Sequence, residues 1–289
     1  AAARAAVANA ADSVPGQVTL GIIAMRSGQL EPARAAFRRA ASMQADAYLP
    51  PAYLAMVDLA AGDIDAAAAN ARRAVELAPR SALAHESLAT VSFFSGELDR
   101  AQAEIDIALE LNPQSATAHL LASDILVARG NLDAGLVEAQ AAVALDPMLG
   151  PAYSAMGMVY LARNALPQAE SSFSRALELT PALVSARTGM GVTYARQGRL
   201  AEALQMQKAA VALDSSRASA LNNIGAIALA QGRLDEAEQQ FSAAIALRLG
   251  RYFQMSAEFW VNAQAHYDLE LARDRLGRRL EKEVAVCGG

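Results

Sequence analysis

Histidine, cysteine and closely spaced glycines are the residues of this sequence that have the greatest capacity for chemistry. The chain has three histidines, His85, His119 and His266, and one cysteine, Cys287. No carboxylate or cysteine stands at metal-ligand spacing from His85 or His119, and no HExxH, GxSxG or P-loop pattern occurs. We therefore predict structural histidines, a free thiol at Cys287 that has no base beside it, and no catalytic residue, metal or cofactor. On this basis we expect the protein not to be an enzyme.

Three glycines stand close together in the segment GMGVTYARQGRL, residues 189–200. Glycine inside a helix costs about 1 kcal/mol relative to alanine, so each of them needs a physical reason. A dinucleotide-binding loop has the pattern G-x-G-x-x-G after a β-strand. Tyr194 occupies the place of the third glycine, and no strand precedes the segment. We predict that these glycines serve packing and turns and do not bind phosphate.

The composition favours an all-α protein. Hydrophobic residues make up 54% of the chain and aromatic residues 5%, and alanine is the most frequent of them. This mixture suits helices that pack at short distance and disfavours a sheet. The formal net charge is -5, with 25 basic and 30 acidic residues, which predicts no nucleic-acid partner. Charged residues interrupt every apolar run, so we expect no transmembrane segment.

A period of 34 residues organises the chain. Prolines recur at this spacing in the phrases VELAP, LELNP, VALDP and LELTP, followed by VALDS. The proline series is Pro79, Pro113, Pro147 and Pro181, with Ser215 next. A second series is Gly28, Gly62, Gly96, Gly130, Asn164, Gly198 and Gly232. A third, of small residues, is Gly21, Ala55, Ala89, Ser123, Gly157, Gly191 and Gly225.

These series predict a helix, a tight turn and a second helix in each unit. Gly or Asn can adopt the left-handed conformation that ends the first helix, and proline separates one unit from the next. The small residues fall where the two helices must approach closely. Gly198 belongs to the turn series and Gly191 to the small-residue series, whereas the period does not explain Gly189.

The chain resembles the tetratricopeptide repeat family. The unit 150–183 carries the best match to its signature, at Met156, Gly157, Tyr160, Ala169, Phe173, Ala176 and Pro181. The resemblance implies a right-handed superhelical solenoid of antiparallel helix pairs. The signature tryptophan is absent from all seven units, and its place is taken by Gln17, Pro51, His85, His119, Tyr153, Arg187 and Leu221.

The period also predicts the domain organisation. Seven repeat units fit in unbroken register, at 14–47, 48–81, 82–115, 116–149, 150–183, 184–217 and 218–251. Residues 1–13 align with the second helix of a preceding repeat, so we expect the sequence to be a fragment of a longer chain. Residues 252–264 form an insertion, of which 252–262 is open between helix and an extended segment because its hydrophobicity alternates. Residues 265–289 are predicted as a divergent eighth repeat or capping helix with a flexible tail.

The resemblance implies a peptide-binding groove along the first helices. Its predicted lining is Ile22, Met25, Met56, Leu59, Thr90, Phe93, Leu120, Asp124, Ser154, Met158, Thr188, Gly189, Val192, Asn222 and Asn223. This lining is apolar and rich in methionine, without the basic clamp of the chaperone-binding members. We expect a partner to pass closest at Gly189, so that Gly189→Leu impairs binding more than folding. The alternative is that neighbouring repeats or the C-terminal segment fill several of these positions.

Two functions remain open from the sequence. The first is a non-enzymatic scaffold that binds an apolar or amphipathic peptide or helix in its groove. The second is the repeat region of a larger bacterial enzyme or of a cell-envelope assembly or export component, with the working domain elsewhere. Both imply a protein partner and allow assembly into a larger complex. The alanine-rich composition suggests a bacterial protein, and the compartment stays open between cytoplasm and periplasm.

Overall fold

The computed structural model describes residues 13–215, 217–253, 256, 257 and 259–261, and this part of the chain contains helices and no strand. Its contacts divide the chain into two bodies, Ala1–Arg163 and Asn164–Gly289. The first body contains α1 (Val14–Arg26), α2 (Leu30–Met43), α3 (Leu49–Ala60), α4 (Ile64–Leu77), α5 (Ala82–Phe94), α6 (Leu98–Leu111), α7 (Ala116–Ala128), α8 (Leu132–Leu145) and α9 (Gly150–Ala162). The second contains α10 (Leu166–Leu179), α11 (Val184–Arg196), α12 (Leu200–Leu213), α13 (Ala218–Ala230) and α14 (Leu234–Phe253). The predicted all-α class is confirmed.

A left-handed residue ends each first helix, as the turn series predicts. The turn residues Gly28, Gly62, Gly96, Gly130, Gly198 and Gly232 have φ between 71° and 83°, and Asn164 has φ 57°. In the first turn, the N–H of Gly28 donates to the Met25 carbonyl at 3.0 Å and that of Gln29 to the Ala24 carbonyl at 2.9 Å. These two bonds satisfy carbonyls that the helix end leaves unpaired. The chain therefore reverses within three residues, and the two helices of a unit become antiparallel.

The small residue in the middle of the first helix receives a large side chain from the second. A Cβ added to Gly21 would lie 2.5 Å from the ring of Phe37, and one added to Gly225 would lie 2.8 Å from that of Phe241. No Cβ tolerates such distances, so glycine is what permits these rings to pack there. Likewise, a Cβ added to Gly191 would lie 2.5 Å from Nε2 of Gln207. The packing role predicted for Gly191 is confirmed.

Polar contacts replace the missing signature tryptophan in two units. The Nδ1 of His85 lies 2.7 Å from a carboxylate oxygen of Glu104, and its Nε2 lies 3.0 Å from the Pro79 carbonyl. In the next unit, the Nδ1 of His119 lies 2.6 Å from a carboxylate oxygen of Glu138, and its Nε2 lies 3.1 Å from the Pro113 carbonyl. The histidines thus join the first helix to the second helix and to the preceding turn. Their predicted structural role is confirmed.

The seventh unit extends beyond its predicted end. Helix α14 has 20 residues and runs to Phe253, and residues 257 and 259–261 are also helical. Of the two alternatives for 252–262, the helix therefore holds at residues 252, 253, 257 and 259–261, whereas residue 256 is not helical. The predicted helix before residue 13 and the predicted eighth unit, with His266 and Cys287, lie outside the described residues.

Gly62→Ala tests the turn geometry. Nothing lies within 4 Å of a Cβ added there, so the cost comes from the left-handed backbone at φ 83° alone. We expect a loss of about 1 kcal/mol in the free energy of unfolding, measured by urea denaturation. Asn164→Gly, at φ 57°, is the matched control and should cost nothing. Equal stability of Gly62→Ala and the unaltered chain would contradict the assignment.

Candidate protein-binding surface

The first helices of neighbouring units form one side of each body. In the first body α1, α3, α5, α7 and α9 contact one another in sequence, and in the second body α11 contacts α13. Among the described helices, no second helix contacts the second helix of the next unit. Helices that touch on one side and separate on the other enclose a concave surface. We call the exposed part of the first helices on this side the inner surface.

Most of the predicted groove residues are only partly accessible. Asp124 and Met158 are exposed, whereas Ser154 and Gly189 are buried and do not line an accessible groove. The half-buried members are Ile22, Met25, Met56, Leu59, Thr90, Phe93, Leu120, Thr188, Val192, Asn222 and Asn223. The residues up to Met158 lie in the first body and those from Thr188 in the second.

Several inner residues also contribute to the hydrophobic core. Ile22 and Met25 pack against a buried cluster that includes Phe37 and Leu54, from the first two units. Leu59 packs against a second cluster and Phe93 against a third. The alternative that neighbouring repeats cover groove positions therefore holds in part at these four residues. Met56 and Met158 stand out as inner methionines that belong to none of these clusters.

The expectation that Gly189 lies at the closest approach of a partner is wrong. Gly189 is buried, and a Cβ added there would lie 2.3 Å from Cζ of Phe173. Phe173 belongs to α10, the second helix of the preceding unit. In the first units, Phe37 holds the place of Phe173 and Tyr53 the place of Gly189, and their rings stack with centroids 5.2 Å apart. Gly189 therefore makes room for a core ring and exposes no backbone to a partner.

Two carboxylates lie on the inner surface of the first body. Burial raises the pKa of Glu86, although hydrogen bonds from Thr117 and Ser115 partly oppose this. Asp124 keeps more than a third of its surface accessible, yet desolvation raises the pKa of its carboxyl from 3.8 to about 6. Removal of water from a carboxylate disfavours its charge. The surrounding protein therefore partly desolvates both carboxylates.

The sequence interpretation missed Glu86 and Phe94 as inner residues. Phe94 is 64% exposed and meets Phe93 edge to face, with ring centroids 5.3 Å apart. Glu86 and Phe94 both lie on the first helix α5, within about one turn of the predicted groove residue Thr90. The helical period carries the signal for Phe94, because the last turn of a first helix continues its inner face.

The described residues contain neither a metal-ligand cluster nor a helix that could span a membrane. No group of three or more histidine, cysteine, aspartate or glutamate side chains in this part of the chain could hold a metal ion. No helix in the described ranges is long and apolar enough to cross a membrane.

Gly189→Leu separates the packing role from a binding role. We expect it to lower the free energy of unfolding by about 1–3 kcal/mol, because a side chain must displace the Phe173 ring. Adding Phe173→Ala to Gly189→Leu should recover part of this loss, as measured by a double-mutant cycle in urea. Val192→Leu, at a half-buried position of the same helix, is the control and should unfold like the unaltered chain. A Gly189→Leu variant of full stability would restore the original expectation.

Solved structures similar to this chain are helical repeat proteins. A chain of the APC/C hetero-tetramer Cut9-Hcn1 has a TM-score of 0.66 and 14% identity, over 74% of this chain and 43% of that one. A tetratricopeptide repeat protein of Parabacteroides merdae has a TM-score of 0.60 and 16% identity, over 81% and 93%. A thermophilic tetratricopeptide repeat protein of Thermus thermophilus has a TM-score of 0.57 and 22% identity, over 63% of this chain and 100% of that one. The chain thus spans less than half the length of the first of these, and these likenesses show the fold.

The sequence also matches a protein family. No curated protein matches it significantly. The family profile described as tetratricopeptide repeat matches residues 88–147, 154–218 and 206–251, more than half of the chain. Proteins of this family are typically non-enzymatic and bind protein partners. With seven units in register, left-handed turns and inner first helices, the chain belongs to the tetratricopeptide repeat family, whose members generally serve as scaffolds for protein-protein interaction.

Proposed function

We propose that this protein is a non-enzymatic scaffold that binds an amphipathic peptide or helix along its inner surface. The occupant lays apolar side chains on the inner methionines and aromatic residues of the first body. This is the helix-in-groove mode of recognition, in which an apolar face supplies the affinity. Methionine suits such a surface because its flexible side chain adapts to different partners.

The accessible apolar side chains of the first helices carry this proposal, because Met158 is 46% exposed and Phe94 is 64% exposed. An apolar partner that covers them removes their surface from water, which favours binding. Burial also raises the pKa of the Asp124 carboxyl on the same surface to about 6. The carboxylate also favours one orientation of the partner, because a lysine or arginine opposite Asp124 would recover the cost of its charge.

The apolar side chains on three inner helices agree with this occupant. The side chains one turn apart on α1 and α3, Ile22, Met25, Met56 and Leu59, are all apolar, as is Met158 at the equivalent place on α9. By contrast, the described ion pairs involve second helices, turns and helix ends, as in Arg34 with Asp58, 2.8 Å apart. A partner with a continuous acidic face would meet no attraction here, so the proposed segment is apolar on one side and basic at one point.

Met56→Arg with Met158→Arg tests the proposed surface. A photoreactive side chain at Leu120, also on the inner surface of the first body, should cross-link a specific segment of a captured protein, identified by mass spectrometry. We expect the paired arginines to reduce that cross-link at least about tenfold, because each buries a charge against an apolar partner. The melting temperature should stay unchanged, since Met158 is 46% exposed and Met56 belongs to none of the core clusters described above.

Val137→Arg is the matched control for this experiment. Val137 is 61% exposed and lies on the second helix α8, away from the inner surface. The same introduced charge should leave the cross-link unchanged there. If the inner arginines leave the cross-linked segment and its yield unaltered, or if Val137→Arg reduces them equally, the proposal is wrong.

Asp124→Asn tests the desolvation of the inner surface. Below its ordinary pKa of 3.8 the side chain is protonated in both the folded and unfolded states, so the variant and the unaltered chain should be equally stable. Between that value and about 6 the unfolded chain releases its proton first, so the unaltered chain loses stability as pH rises. The melting temperature of Asp124→Asn should therefore exceed that of the unaltered chain above about pH 7 and not at about pH 3.5. An NMR titration midpoint of the Asp124 carboxyl near 3.8 would refute this account.

A further inference from the structure

The first described unit exposes an apolar side chain where every later unit has a buried one. Ile23 on α1 is 58% exposed. The residues at the same place of the period are at most 4% exposed, and they are Val57, Val91, Ile125, Val159, Thr193 and Ile227. Leu20, one turn earlier, is half-buried, whereas its counterparts Leu54 and Leu88 in the next two units are 6% and 4% exposed. Helix α1 therefore presents the face that a preceding unit covers in the rest of the solenoid.

The last described unit exposes the other half of the same contact. Phe241 on α14 is half-buried. The residues at its place in the six earlier units are 0% exposed, and they are Phe37, Ala71, Ile105, Ala139, Phe173 and Gln207. One turn later, Ile245 is 54% exposed, whereas its counterparts Val75 and Leu109 are half-buried and pack against core clusters. Helix α14 therefore presents the face that a following unit covers elsewhere.

Within the chain, these two kinds of face pack against each other. Phe37 of the first unit shares a buried cluster with Leu54 and Val57 of the second unit. Ile105 of the third unit shares another with Ile125 of the fourth unit. The place of the period that is accessible on α14 is thus the one that packs, inside the chain, against the two places that are accessible on α1.

Both faces stay open among the described residues. On the first unit, α1 and α2 form a groove of 540 Å³, and its lining includes Leu20, Ile23 and Pro32. On the last unit, the helical residues 259–261 leave Ile245 54% exposed. Solenoids need polar residues on their outer faces to stay apart, and apolar patches that remain exposed mark sites of association.

We propose that the α14 face of one copy of this chain, with Phe241 and Ile245, packs on the α1 face of a second copy, with Leu20 and Ile23. The contact repeats between two molecules the one that joins consecutive units inside each molecule. Its two sides are different surfaces, so the copies associate head to tail, and every added copy leaves one face of each kind open. This inference goes beyond the proposed function, which concerns the inner surface.

An ion pair at the edge of this contact lacks one partner in the last described unit. Arg129 lies 2.6 Å from Asp99 of the preceding unit, and the fifth unit repeats this pair with the fourth. Asp235 holds the place of these aspartates in the seventh unit, is exposed and forms no ion pair among the described residues. Ser27 holds the place of the arginines in the first unit. The proposed contact therefore brings Ser27 of one copy opposite Asp235 of the other.

Sedimentation velocity of the full chain and of two lysine variants tests the proposal. The average mass of the unaltered chain should rise with concentration and pass that of a dimer. Ile23→Lys and Ile245→Lys should each weaken association at least about a hundredfold, because the contact would bury an unpaired charge. An equimolar mixture of the two variants keeps one intact face of each kind, so it should form dimers and nothing larger. A monomeric unaltered chain, or dimers formed by either variant alone, overturns the inference.

Val137→Lys is the matched control for these variants. Val137 is 61% exposed on α8, away from both faces, so its lysine should leave association unchanged. At a concentration at which the unaltered chain is monomeric, Ile23→Lys should also melt like the unaltered chain, because an exposed side chain loses no contact there. A lower melting temperature of that monomer would mean that other residues of the same chain cover the α1 face, and it overturns the inference.

Ser27→Arg supplies the missing partner of the ion pair. We expect it to tighten association about threefold, the gain that one exposed ion pair provides. Adding Asp235→Asn should abolish this gain, because the arginine then has no carboxylate opposite it. If Ser27→Arg associates no more tightly than the unaltered chain, or if the gain persists with Asp235→Asn, the two faces do not meet in the proposed register.

Discussion

The close approach of the two helices within each unit is the constraint on which the rest of the structure depends. A residue without a bulky side chain in the middle of the first helix admits the ring or amide of the second, as Gly21 admits Phe37 and Gly225 admits Phe241. Much of the remaining interior is alanine, which brings the backbones close without filling the space between them. A left-handed turn residue fixes the antiparallel return. Together these features place the first helices side by side, and so create the inner surface.

This constraint also explains why the inner surface has two kinds of residue. Ile22 and Phe93 extend sideways from the first helices into the clusters between units, so they stabilise the stack and are half exposed at the same time. Met158 and Phe94 extend further from the core and remain accessible. Burial raises the pKa of the Asp124 carboxyl, which is on the first helix α7. The inner surface thus results from how the units stack.

Sequence periodicity was sufficient for those features that repeat within one unit. The turn residues, including Asn164 at φ 57°, and the small residues Gly191 and Gly225 follow directly from the 34-residue spacing. Gly189 could not be placed in this way, because the ring that demands it comes from Phe173 in the preceding second helix. Contacts between units depend on particular pairs of side chains that the average signature does not contain. The same holds for Gln207, whose unpaired oxygen becomes visible only when its neighbours are known.

Methionine methyl NMR gives the most direct test of the central claim that partners bind to the inner surface. Met56 and Met158 lie on first helices, whereas Met43 at the end of α2 and Met148 in a turn are exposed elsewhere, at 42% and 69%. On addition of the segment identified by cross-linking, the account predicts that the methyl signals of Met56 and Met158 shift and saturate while those of Met43 and Met148 stay in place. Shifts confined to Met43 and Met148 would contradict it.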